Sequence, residues 1–406
     1  VSERNDLPLD GVRVIDLSST IAGPAATRHM SDFGAQVIKI ETRRRPDIAR
    51  RAPPQRHAPD PLDQSGYFSA YNAGKLSLSL DLARPGAHDV LRRLVEKSDV
   101  LVEAFRPGVM EGLGLPPAVI QGWNPNLILA RHSLQGQTGP RSGLRGFGHL
   151  AAAATGWFDV TGPSDGPPVG PFSAYTDFLA WPVLLTAILV ALEEREITGC
   201  GSLIDHAHVD TSAYFAAPEL LAAQRGKEPV RDGCHDLGRC PNNVYPCSGQ
   251  DEWCAITVAS DREWLLLIAA LGLEEKAELP ISAGVAARKK KEAQIDAAIA
   301  ARTCTMTCDA LQTLLVDIGI AAVRVYRAQD LFDDPQLAAR GVFRQLDHPG
   351  HGRHAVLGHS FRFDRLDAGP HRAFPTLGAD SDNICRDILG MDEDELADLH
   401  DTGVLS

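Results

Sequence analysis

Short apolar runs rich in β-branched residues alternate with amphipathic stretches through the first third of the chain. Residues 11–17, with Val12, Val14, Ile15 and Leu17, and residues 35–41, with Val37, Ile38 and Ile40, read as buried strands. Between them, residues 18–24 have loop chemistry, and Pro24 opens a helix carrying Ala25, Ala26, Met30 and Phe33 that Gly34 stops. Strand, short helix and strand within about thirty residues make a βαβ unit with a parallel pair. The alternation continues with predicted strands at 76–80, 99–105 and 126–130 and a helix at 85–97 that sets Val90, Leu91 and Leu94 on one face. The pattern predicts an open α/β sheet.

Further along, residues 178–192 form the longest apolar stretch, broken by Pro182 and Thr186. It is too short to span a bilayer comfortably and reads as a buried helix, so no membrane partner is expected. Another helix is expected near 210–224, and the polar stretch 225–243 reads as a linker. A compact α/β segment follows, with strands at Tyr245, 253–258 and 321–325 and helices at 261–271 and 308–316. After it come a Gly/His/Pro-rich stretch, 348–360, and a helical tail, 380–398.

Composition narrows the function classes. The 406 residues hold 40 Lys+Arg against 53 Asp+Glu, a formal charge of −13, which argues against a nucleic-acid partner because phosphate polymers need a positive field. A local basic pocket for a phosphorylated small molecule remains compatible. Positive charge gathers at Lys39, Arg43, Arg44, Arg45, Arg50, Arg51, Lys75 and Arg106, whereas much of the acid lies after residue 376. The arginines at 43–51 follow the second strand at the carboxyl end of the sheet, where open α/β folds bind ligands. The run from Arg288 to Lys291 reads instead as the solvated face of an amphipathic helix. Cys234, Cys240, Cys247 and Cys254 are too widely spaced for paired zinc knuckles, so no metal is expected. The first six residues show no apolar run of signal type, and reduced thiols in a cytoplasmic protein are the expectation. The sheet reads as Rossmann-like in its winding, but residues 18–24 stand where a dinucleotide fingerprint G-x-G-x-x-G would lie, which disfavours nicotinamide binding.

Several segments together resemble one family, the class III coenzyme A transferases, which includes formyl-CoA transferase, carnitine CoA-transferase and α-methylacyl-CoA racemase. The segment from Gly11 to Ser18, then Ala22-Gly23-Pro24, then Asp32 to Glu41 is similar to the family's opening. Asn72-Ala73-Gly74-Lys75 through Asp81 resembles its N-x-x-K segment, and Glu103-Ala104-Phe105-Arg106-Pro107-Gly108-Val109 its E-N-F-R-P-G-V, with Ala104 replacing Asn. Gln137-Thr138-Gly139-Pro140 and Thr198-Gly199-Cys200-Gly201 match two further landmarks in the right order.

The resemblance implies an α/β fold: a Rossmann-like large domain, a smaller α/β domain inserted in it, and two chains interlocked like links, either a homodimer or a pair with a related subunit. With the linker, it implies a large coenzyme A-binding domain over 1–225, a small domain over 226–330 and a return to the large domain over 331–406. It implies acyl-CoA and a free carboxylic acid as substrates, with no permanently bound cofactor. The family's nucleophile falls on Asp177, just before the apolar helix, where an Asp is also an N-cap candidate. Position matching puts Ile21 and Ala22 at the adenine-ribose end of coenzyme A. It makes Asn72, Ala73, Gly74 and Lys75 another wall, with Lys75 a phosphate ligand, and gives Ala104, Phe105 and Arg106 contact roles. Thr42 stands where members often carry Arg, so Arg43 is expected to compensate. The racemases of the family use a His at the position of Phe147, which cannot exchange a proton, so transfer is favoured over racemisation. A non-catalytic subunit that binds coenzyme A is the remaining alternative. The segment from Ser133 to Pro140, together with Ala174 to Asp177, looks most like the branch containing the benzylsuccinate CoA-transferase subunits, which use succinyl-CoA as donor. There Ser133 and Gln135 would donate hydrogen bonds in the pocket.

Overall fold

The computed structural model describes residues 7–227, 230–274 and 284–405. The chain divides into two compact units. The first comprises Val1–Phe158, Gly170–Glu228 and Gln336–Ser406, and the second Asp159–Val169 and Pro229–Pro335. The second thus takes in an eleven-residue stretch from within the 1–225 segment.

The first unit is built on six parallel strands: β1 (Arg13–Leu17), β2 (Gln36–Glu41), β3 (Leu76–Ser79), β4 (Val100–Glu103), β5 (Ile128–Ser133) and β6 (Leu203–Ala207). Their order is β3-β2-β1-β4-β5-β6. The chain runs outward from β1 through β2 to β3, then returns to β4 on the other side of β1. The carboxyl ends of β1 and β4 therefore frame a topological switch point, where the loops diverge and leave a crevice.

Both faces of the sheet are covered, so its central strands read as continuous apolar runs rather than alternating ones. Side chains still alternate between two cores. Ile15, Leu17, Ile38, Ile40, Leu101 and Leu129 pack with Val90, Leu91 and Leu94 of the helix Ala87–Val95. Val14, Val37, Val100, Val102 and Ile128 pack with Ala26 and Met30 of the helix Ala22–Asp32 and with Leu184 and Ile188 of the helix Tyr175–Thr198. That last helix, 24 residues long, extends beyond the apolar stretch 178–192 at both ends and by length and composition alone could cross a membrane. Its inner face belongs to the core, while Phe178, Leu189, Val190 and Ile197 stay exposed.

The C-terminal segment closes the sheet's edge. The N–H groups of Ser77 and Ser79 on β3 donate to Asp380 Oδ2 at 2.9 Å and Ser381 Oγ at 3.0 Å, and Ile384, Leu389, Leu396 and Leu405 complete the core beside it. The Gly/His/Pro-rich stretch is not irregular. Gly352–Leu357 pairs antiparallel with Phe343–His348 as a hairpin, whose half-buried strands show no apolar run.

In the second unit, three antiparallel strands, Asn242–Pro246, Trp253–Thr257 and Ala321–Arg324, pack against the helices Asp261–Leu271, Glu292–Thr303 and Cys308–Asp317 around Trp264, Tyr245 and Ile256. The basic run departs from the expected solvated face at Arg288. Its side chain is buried, with Nε donating to the Cys240 carbonyl at 2.8 Å and Nη1 to Asp261 at 2.6 Å, so the charge is neutralised inside rather than hydrated.

Candidate active site

A cleft of about 650 Å³ opens at the carboxyl ends of β1, β2, β4 and β5. Its walls combine the loop after β1 (Ser18, Ser19, Thr20, Ala22), the turn after β4 (Ala104, Phe105, Arg106), the end of β5 (His132, Ser133), residues 145–148 and Asp177. The first loop is fixed by buried charge. Asp16 accepts from Lys75 Nζ at 2.8 Å and Thr27 Oγ1 at 2.8 Å, and from Ser18. Burial alone would raise the Asp16 pKa, but the ammonium groups of Lys39 and Lys75 outweigh it and hold the carboxyl far below the usual range. The loop itself is strained: Thr20, a β-branched residue, sits at φ 73°, and its N–H is held by Asp47 Oδ1 at 2.9 Å. Gly23 permits the following helix to start against β1, since a Cβ there would lie 2.3 Å from the Ser18 Cβ.

Asp177 occupies the first turn of the helix Tyr175–Thr198, as its third residue rather than as its cap. Burial in the cleft wall raises its pKa to about 7, against the opposing pull of its own N–H and that of Gly148. Gly148 approaches so closely that a Cβ on it would stand 1.8 Å from Asp177 Oδ2 and 2.9 Å from Thr176 Oγ1. Thr176 in turn donates to the Gly148 carbonyl at 2.6 Å. The carboxylate is thus clamped between a backbone amide and a helix start, with room for no side chain at 148.

Arg45, Arg106 and Arg145 also line the cleft, and among the described residues none of them forms an ion pair. Three uncommitted guanidinium groups in one cleft with a half-buried carboxylate suit a ligand that carries phosphate away from the reacting atom.

The residues expected at the ligand fall into two groups. Ala22, Ala104, Phe105, Arg106, Ser133 and Asp177 line the cleft together. Ile21, Arg43, Asn72, Ala73, Gly74, Lys75 and Gln135 are not in its walls. Arg43 pairs with Asp60. Gly74 borders a separate cavity with Arg13 and Arg372. Lys75, expected as a phosphate ligand, is fully buried, and its three donors go to Asp16, to the Pro24 carbonyl at 2.9 Å and to Asn72 Oδ1 at 2.8 Å. It therefore acts as a strut that holds the first loop. Gln135 is half-buried, with its Nε2 atom buried and unpaired.

Sequence reasoning missed Arg145, His132 and His208. The signal for His208 was present: His206 and His208 stand two apart at the carboxyl end of a strand, the edge where such folds bind ligands.

The chain is 32% identical over 399 residues to the succinyl-CoA–D-citramalate CoA-transferase of Chloroflexus aurantiacus, a match covering 98% of each. It is 32% identical over 399 residues to a Mycobacterium tuberculosis protein named "Probable CoA-transferase Rv1866", of which it spans about half the length, 49%. A crystal structure of a CAIB/BAIF family protein from Brucella suis superposes with a TM-score of 0.87 at 30% identity, covering 95% of this chain and all of the other. Residues 9–381, from the first strand to the helix that closes the sheet edge, match CoA-transferase family III, and the chain belongs to that family.

Proposed function

We propose that this protein is an acyl-CoA:carboxylate CoA-transferase in which Asp177 is the nucleophile. The observation that carries the reading is the placement of Asp177: a clamped, half-buried carboxylate sharing one cleft with three arginines that form no ion pair. A carboxylate whose pKa is raised to about 7 is more basic than a solvated one, yet remains ionised in mildly alkaline solution.

In the first step, an Asp177 oxygen attacks the thioester carbon of the donor. The C–S bond breaks, coenzyme A leaves as thiolate, and a mixed anhydride forms. The thiolate then attacks the Asp177 carbonyl carbon and expels the donor's carboxylate, leaving an aspartyl-CoA thioester. The acceptor carboxylate repeats the two exchanges in reverse, so no net proton is taken up. The Gly148 N–H stands where charge develops on the Asp177 carboxyl. Arg45 and Arg106 would hold the phosphates of coenzyme A, and Ala22, Ala104 and Phe105 offer apolar surface to the rest of it. Succinyl-CoA as donor is supported by the name of the Chloroflexus relative. The strand order β3-β2-β1-β4-β5-β6 supports a Rossmann-like reading of the first unit.

A second chain is part of the proposal. The exposed Phe178, Leu189, Val190 and Ile197 of one helix and Tyr214, Phe215, Leu220 and Leu221 of the next two make apolar surface of the kind soluble proteins cover with a partner.

The test is a panel of acyl-CoA donors and free acids given to wild type and to Asp177→Asn, with hydroxylamine trapping on donor alone. Transfer should be lost in the variant, and the trapped adduct should map to the peptide that holds Asp177. Unimpaired transfer by Asp177→Asn would remove the proposed nucleophile, and the absence of any adduct in wild type would favour a binding-only subunit.

A further inference from the structure

Among the described residues, the non-glycines at positive φ are Thr20, Ser173 and Asp251. Thr20, at 73°, is the β-branched one, the residue type for which the left-handed region is a true outlier. It also stands in the wall of the cleft that holds Asp177. A conformation of this kind persists where the surroundings over-determine it. Here the constraint runs through one side chain. Asp47 Oδ1 accepts the Thr20 N–H at 2.9 Å and the Ala49 N–H at 2.9 Å. Asp47 Oδ2 accepts from Lys39 Nζ at 2.8 Å, and the Asp47 N–H donates to Glu41 Oε2 at 3.0 Å. Lys39 Nζ gives a second bond to the Ser18 carbonyl, two residues before the strained position. Asp47 and Lys39 are 4% and 0% exposed, so water does not compete for these bonds.

Two walls of the cleft meet at this carboxylate. Ser18, Ser19 and Thr20 follow β1, whereas the segment from Arg45 to Ile48 follows β2. Without the Asp47 acceptor, Thr20 would be free to relax to negative φ, and the loop that joins β1 to the helix Ala22–Asp32 would change course. Ligand would then bind the fraction of molecules that still hold the strained form, and apparent affinity would fall by that fraction. Glycine has no Cβ and takes positive φ as readily as negative, so a loop with glycine at this position would not need the carboxylate.

We propose that Asp47 is a positioning residue for coenzyme A thioesters: through the Thr20 N–H it holds the loop after β1 in its strained course, and so joins two walls of the cleft into one preformed surface. The inference rests on the reading of this cleft as the coenzyme A site. Asp47 itself acts through Thr20 and has no part in bond making.

The experiment is a double-mutant cycle, read as the Kd for coenzyme A by titration calorimetry and as KM for the acyl-CoA that supports transfer in the panel above. With Thr at position 20, Asp47→Ala should raise both by about ten-fold while kcat changes by less than about three-fold. On the Thr20→Gly background the same Asp47→Ala change should raise them by less than about two-fold. Asp47→Asn, which keeps an acceptor for the Thr20 N–H, should recover most of the loss seen with Ala. Asp47→Ala also removes the carboxylate paired with buried Lys39, so it should lower Tm on both backgrounds alike. A residue that only stabilised the fold would show that fall in Tm without any dependence of binding on position 20. An equal effect of Asp47→Ala on binding in both backgrounds, or no effect in either, overturns the proposal. If Asp47→Ala does not fold, Lys39→Met combined with it removes the stranded charge and completes the same cycle. Failure of the wild type to bind coenzyme A would sink the reading of the cleft, whereas binding without the coupling sinks the positioning role alone.

Discussion

Removing the charge of Asp177 should stabilise the protein while abolishing its activity, and the gain should grow with pH. The carboxyl has a pKa of about 7 in the folded protein against 3.8 for the unperturbed group. Below the lower value it is protonated in both states, and the folded state carries no penalty. As pH rises the unfolded chain ionises first, so stability drains away until the folded carboxyl also ionises near pH 7. Between pH of about 5 and about 9 the difference spans two pKa units, or about 3 kcal/mol, and the solvent that reaches the cleft reduces this to about 1–2 kcal/mol. Asn has the same shape and no charge. The Tm of Asp177→Asn should therefore exceed that of wild type by about 2–4 °C more at the higher pH than at the lower. Buried histidines titrate equally in both proteins, so comparison at each pH cancels them. Thermal melts in the two buffers decide the matter: an increment that is the same at both pH values, or that shrinks as pH rises, would refute the account of a carboxylate held in a costly environment.

Gly148→Ala should cost about 100-fold or more in kcat, because its Cβ would lie 1.8 Å from Asp177 Oδ2 and must displace it; steady-state kinetics beside the affinity for coenzyme A would show kcat falling with binding retained. The two cations assigned different work should separate cleanly. Arg106→Ala should raise KM for acyl-CoA with a salt-dependent effect and leave Tm nearly unchanged, whereas Lys75→Met should lower stability by about 3–5 kcal/mol by stranding the Asp16 carboxylate, a loss visible as a lower denaturation midpoint.

The sheet was legible because a parallel sheet covered on both faces favours consecutive apolar residues, and β1, β2, β4 and β5 each carry two or three of them, while β3 alternates Leu with Ser. The edge strand β6 carries Asp205 and His206 and left no such trace. Asp177 and the turn at Ala104–Arg106 were found through the family's motifs, and the structure brings them to one cleft. What the sequence could not convey is which charges are already spoken for. Lys75 reads as a free cation until Asp16, 59 residues away, is seen to hold it. Arg288 reads as solvated until the Cys240 carbonyl and Asp261 are found beside it. Asp177 was expected just before the apolar helix, but the helix runs from Tyr175 and carries both Asp177 and Pro182 inside it. Long-range pairing of this kind depends on how strands are ordered in space, and local patterns carry no record of that order.

The seal on β3 has a consequence for how the protein is made. The N–H of Ser77 waits for a carboxylate 303 residues further on, which at about 5–20 residues per second is a delay of roughly 15–60 s on the ribosome. Throughout that interval β3 presents an unpaired edge, and the core beside it lacks Ile384, Leu389, Leu396 and Leu405. The second unit, whose strands and helices lie almost wholly between residues 229 and 335, can be finished first. Although the first unit supplies the earlier strands, it is completed after the second, and during synthesis its open edge is in need of a chaperone.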